Sequence, residues 1–154
     1  YTYRLFSWMM VAVDSIPVRR FGVSANAIRT AIERLKVGRC VGICPEGGVA
    51  QGNDSVMRGG PMKKGVCLIA ARANVPVLPC IMLGTDKLNR VLPWIPFRRA
   101  NLWVAFGSRL VHPPADEPDR RKARELMAQE LSREFQALYA ELREKYGIAD
   151  SDVP

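Results

Sequence analysis

The chain has 154 residues, 48% of them hydrophobic and 25% charged, with a formal net charge of +8. That apolar fraction excludes a disordered chain and suits one domain with a real core. The basic excess points to a phosphate-bearing substrate, an anionic membrane surface or nucleic acid. It is uneven: residues 1–115 hold 16 Lys/Arg against 5 Asp/Glu, and residues 116–154 hold 7 against 10. The excess therefore belongs to the body of the fold.

The first residue is Tyr1, and an apolar run, "LFSWMMVAV", follows almost at once. This opening reads as a chain cut inside its fold. The run is about half the ~20 residues that a membrane-spanning helix needs. "MMVAVDSIPV" reads as a first strand or strand pair ending at Arg19 and Arg20. "SANAIRTAIERLKVG" reads as a helix, with Ile28, Ile32 and Leu35 on one face, Ser24 or Asn26 as its cap and Gly38 as its stop. "RCVGIC" reads as a short buried strand. Cys40 and Cys44 would share one face of it as small buried apolar groups, and with no CxxC pair no metal site is expected.

"PEGGVAQGNDSVMRGGP" shows no apolar periodicity and reads as a glycine-rich loop. "MKKGVCLIAARAN" reads as a helix with Met62, Val66, Ile69 and Ala73 on one side and Asn74 as its stop. "VPVLPCIML" reads as a buried strand with prolines at its first positions. "DKLNRVLPWIPFRRA" reads as a loop carrying Trp94 and Phe97 among basic residues, and "NLWVAF" as a strand. A long helix is expected over residues 119–146, with Met127, Leu131, Phe135, Leu138, Leu142 and Tyr146 in its apolar stripe. Strands alternating with helices imply one α/β domain over residues 1–147, with a mostly parallel central sheet flanked by helices. The tail, 148–154, is expected to fray.

In such sheets, ligands sit beyond the carboxyl ends of the strands. Glu46 stands one residue past such an end. Pro45 closes the strand, and Gly47 and Gly48 can take positive φ and let a ligand approach their backbone amides. One acid and two bare amides make a corner suited to a hydroxyl and an oxyanion. The same residues also describe a solvated turn. Arg19 or Arg20 could hold a phosphate. Lys63, Lys64 and Gly65 open a helix, where lysines and amides bind anions or merely confer solubility. His112, the single histidine, follows the last expected strand, stands before two prolines and reads as structural or exposed.

The order "SIPVRR", "AIRTAIERLKVGRCVGICPEGG", "MKKGVCLIAARANVPVLPCIMLGT" resembles the phospholipid/glycerol acyltransferase family, best known for 1-acylglycerol-3-phosphate acyltransferases. The likeness runs from about Tyr3 to Val111, and Ala27–Thr85 is its specific part. It implies transfer of a fatty acyl group from acyl-CoA or acyl carrier protein to the hydroxyl of a lysophospholipid or another lipid alcohol, with no further cofactor. It implies work at an anionic membrane surface, on the cytoplasmic face, and not on nucleic acid. In the family pattern a His-x-x-x-x-Asp block supplies the base. The imidazole takes the hydroxyl proton, the oxygen attacks the thioester carbonyl, and the thiol leaves.

Carried onto this chain, the resemblance assigns phosphate binding to Arg20, or to Arg19 if the match slips by one. It assigns acceptor binding to Glu46 and Gly47, with Gly48 and Lys64 beside them. Val75-Pro76-Val77-Leu78-Pro79 matches the family's last block. Two departures stand out. No His-x-x-x-x-Asp occurs in the sequence; the resemblance implies that it lies upstream of Tyr1 and that this fragment alone is inactive. Many members continue the P-E-G turn with Thr-Arg-Ser, where this chain has Gly48-Val49-Ala50, so a cation is missing. The alternative is a lipid- or membrane-binding module of the same fold without catalysis. At this level Glu46→Ala is expected to cost turnover far more than stability.

Overall fold

The computed structural model describes residues 8, 10–18, 25–48, 52–84 and 102–148. They fall in two compact units, Tyr1–Gly42 and Ile43–Pro154.

In the first unit, residues 10–12 are helical where the sequence suggested a strand. The reason is the stop signal behind them. Asp14 takes a left-handed conformation (φ 52°), its N–H reaches Val11 O, and Ser15 N–H reaches Met10 O at 2.9 Å. This paired closure ends helices, and a short apolar run cannot by itself distinguish helix from strand. Helix α1, Ala25–Lys36, closes in the same way: Gly38 has φ 80°, and the Arg39 N–H reaches Arg34 O at 3.0 Å. Asp14 also binds Arg34 and Arg39, each at 2.6 Å. Since α1 starts at Ala25, Asn26 lies inside it rather than capping it.

Residues 39–44 correct the expected buried strand. They pair with no strand among the described residues, and Cys40, Ile43 and Cys44 are exposed. A strand is defined by its neighbours' hydrogen bonds, which an apolar run cannot supply for itself.

In the second unit, two 3-10 turns, Gly52–Asp54 and Val56–Arg58, lead to helix α2, Gly65–Ala73. Asn74, at φ 54°, caps α2 as expected. The expected strand over residues 75–83 is divided by its prolines. Val77 makes an isolated antiparallel bridge to Val111, Pro79 offers only its carbonyl, to Gly107 N–H, and strand β1 is confined to Cys80–Leu83. Strand β2, Trp103–Phe106, pairs with it in antiparallel register, Ile81 opposite Ala105 and Leu83 opposite Trp103.

This pair is the whole sheet among the described residues, and it is antiparallel, not parallel as the alternation of elements suggested. The sequence signals no helix between the two strands, and a parallel pair needs a crossover. A parallel sheet also buries both faces. Here Ile81 and Leu83 are buried while Cys80, Met82, Val104 and Phe106 are exposed on the other face.

Helix α3, Arg120–Tyr146, packs against α2, both strands and the second 3-10 turn. Asp119 caps it by accepting from Arg121 N at 2.7 Å, and Gly147 (φ 58°) ends it. Met127, Leu131, Phe135, Leu138 and Leu142 are buried as their spacing predicts, whereas Tyr146 is exposed. They join Val56, Val66, Cys67, Ile81, Leu83 and Val111 in one core, and Ile148 still packs against it. Burial pushes the Cys67 thiol up, which keeps it protonated and inert.

Tyr139 is also buried, and its hydroxyl has no hydrogen-bond partner. A buried polar atom without a partner costs free energy. Tyr139→Phe is therefore expected to leave stability unchanged or raise it by up to about 1 kcal/mol, read as the midpoint of urea unfolding. The Arg143 guanidinium, 5.8 Å above the ring, keeps its aromatic contact in that variant.

Candidate functional site

The corner after residues 39–44 is built from residues far apart in sequence. The Gly47 N–H closes a tight turn onto Cys44 O at 3.0 Å, and Gly47 has φ 75°. That amide is spent inside the turn. What Gly47 contributes is space: a Cβ there would overlap the Lys63 ammonium and stand 2.9 Å from Lys63 Cδ and Cε. At Gly48 a Cβ would meet nothing within 4 Å, so the corner opens there.

Glu46 is half-buried. Its Oε1 accepts from Ser55 Oγ–H and from Val56 N–H, each at 2.8 Å. Ser55 and Val56 are each 1% exposed. The carboxylate thus draws the glycine-rich loop onto the corner. A second tie, Lys63 N–H to Pro45 O at 2.9 Å, holds the approach to α2 against the same turn. Gly60 makes the loop compact. It is buried, its N–H bonds Ser55 O at 2.8 Å, and a Cβ there would collide with Asp54 O.

The structure therefore brings Glu46, Gly47 and Lys63 together. Lys64 turns elsewhere: its Nζ lies 2.8 Å from Glu125 Oε1, beside an open groove lined by Met62 and Ser132. Lys64 donates to the Glu125 carboxyl and holds it below the usual carboxylate range, helped by Arg121 at 3.6 Å. A carboxyl with a depressed pKa stays ionised from neutrality down through its ordinary pKa and loses its pairing only in stronger acid. At neutral pH the Lys64 charge is thus engaged on α3. Arg19, Arg20, Val49, Trp94 and Phe97 lie outside the described residues. His112 is exposed, next to the bridge at Val111.

The sequence reading missed Ser55 and Val56. The available signal was a small hydroxyl residue followed by a β-branched apolar one, inside a glycine-rich loop.

This corner falls inside a recognised sequence pattern. The Acyltransferase family model matches residues 1–83, more than half of the chain, and includes every residue of the corner. The chain belongs to the acyltransferase family. Among curated proteins, it is 33% identical over 86 residues to the 1-acyl-sn-glycerol-3-phosphate acyltransferase BAT2, chloroplastic, of Brassica napus, covering 54% of this chain and 24% of that protein. It is 30% identical over 86 residues to the 1-acyl-sn-glycerol-3-phosphate acyltransferase LPAT1, chloroplastic, of Arabidopsis thaliana, covering 54% of this chain and 23% of that one. The matched segment thus spans about a quarter of each relative's length. No solved structure matches. No helix among the described residues is long and apolar enough to cross a membrane.

Proposed function

We propose that this acyltransferase chain forms the acceptor side of an O-acyltransferase of glycerolipid synthesis. An acyl group passes from acyl-CoA or acyl carrier protein to the hydroxyl of an acceptor such as 1-acylglycerol-3-phosphate. The observation that carries this reading is the family match over residues 1–83, with Glu46 fixed inside it by two hydrogen bonds. A carboxylate anchored on one side of an open turn is a rigid organiser for an incoming hydroxyl. Glu46, Gly47 and Gly48 bind the acceptor, and Arg20 meets its phosphate. No His-x-x-x-x-Asp occurs in the 154 residues, so the base that removes the hydroxyl proton comes from a segment on the N-terminal side of Tyr1.

The parallel central sheet implied by the family resemblance belongs to this reading. So does work at an anionic membrane surface, which the basic body of the chain favours.

The test is thiol release from acyl-CoA that depends on 1-acylglycerol-3-phosphate. The chain extended at its N-terminal side by a His-x-x-x-x-Asp segment is expected to turn over, and the 154 residues alone are not. Turnover by the 154 residues alone overturns the placement of the base. Acceptor binding without turnover by the extended chain establishes instead the second reading, a lipid-binding module, which the missing block favours.

A further inference from the structure

We propose that Lys63, rather than Lys64, is the lysine that receives the acceptor's phosphate at the Pro45–Gly48 corner. The proposal rests on the acceptor-site reading above and adds a second cation, beside Arg20, to that site.

Residues 46–50, Glu-Gly-Gly-Val-Ala, carry one acid and no base. A phosphomonoester approaching Glu46 meets like charge and needs a cation to offset it. Two lysines stand next to one another in the sequence, and the structure separates their roles. The Lys63 backbone is tied to the corner through Pro45 O, and its side chain lies against Gly47, where its Nζ, Cδ and Cε are the nearest atoms to the position a Cβ would take. Lys63 is exposed, and among the described residues no carboxylate pairs with it. The Lys64 ammonium is paired with Glu125 at 2.8 Å. An ammonium beside an open turn, with no counter-ion among the described residues, is a charge available to an arriving phosphate.

The test is equilibrium binding of 1-oleoylglycerol-3-phosphate, monooleoylglycerol and inorganic phosphate to the full chain, by titration calorimetry. Lys63→Gln is expected to weaken 1-oleoylglycerol-3-phosphate about tenfold, to leave monooleoylglycerol unchanged, and to be partly rescued by Lys63→Arg. Arg133→Gln, an exposed cation on α3, serves as the charge control. Circular dichroism confirms that each variant is folded. A larger loss in Lys64→Gln than in Lys63→Gln, or no loss in Lys63→Gln, overturns the assignment while leaving the acceptor-site reading standing. A dependence on Lys63 confined to inorganic phosphate overturns it too. A parent chain that binds monooleoylglycerol but not its phosphorylated counterpart overturns both.

Discussion

Glu46→Ala is expected to lower stability by about 2–4 kcal/mol, and Glu46→Gln by under about 1 kcal/mol, because one removes an acceptor from two buried donors and the other keeps it. The Ser55 hydroxyl and the Val56 N–H both point at Glu46 Oε1, and both residues are nearly inaccessible to water. Alanine leaves the two donors without that acceptor. The glutamine carbonyl oxygen can take the same place without charge. The pair of variants therefore separates the two jobs of the residue. Urea unfolding reads the structural job. Acceptor-dependent turnover in the extended chain reads the chemical one, where Glu46→Gln is expected to lose at least about tenfold. Equal stability losses in the two variants would mean that charge, not acceptance, holds the loop. Unchanged turnover in Glu46→Gln would remove the acid from the acceptor site. The sequence alone suggested a cost in turnover far above the cost in stability. The two bonds add the cost in stability.

What the sequence showed and what it hid follow one physical division. Helix ends are local. Gly38, Asn74 and Gly147 each sit at positive φ, within a residue or two of where composition and periodicity place the stops. The stripe from Met127 to Leu142 is likewise a property of one segment, and it is buried as read. Strands are not local. Nothing within residues 39–44 reveals whether a neighbour exists, and nothing within Val75–Leu83 showed that its prolines would leave only Cys80–Leu83 in the ladder. The orientation of β1 and β2 is a relation between two segments, and alternation with helices is an uncertain guide where the connection is read as a loop.

The candidate site divides in the same way. Glu46 is visible because an acid between proline and glycine, after an apolar run, is unusual in itself. Its partners are nine and ten residues further on, in a segment with no period to read. The choice between Lys63 and Lys64 depends on which way each side chain leaves the turn into α2, and Glu125, 61 residues away from Lys64, decides it.

The same loop predicts the largest effect of a single added methyl group. Gly60→Ala is expected to destabilise the chain by about 3 kcal/mol, at the upper end of ordinary overpacking. The obstacle is backbone: a Cβ at residue 60 collides with Asp54 O and stands 2.8 Å from Asn53 O. No rotamer change relieves that, so the turn itself must move. Gly60 N–H holds Ser55 O at 2.8 Å. A shift at residue 60 therefore carries Ser55 and Val56 away from Glu46, and the collision and the loss of the latch are one event. Gly48→Ala, with open space at its Cβ, is the matched control and is expected to change stability by less than about 0.5 kcal/mol. Shared origin has a measurable consequence. If Gly60→Ala acts through the latch, adding Glu46→Ala costs less than the sum of the two single losses, because the second change removes bonds that the first has already strained. Full additivity in urea unfolding would show that the Gly60 turn and the Glu46 corner are stabilised independently. Gly60 would then matter to the fold and not to the site.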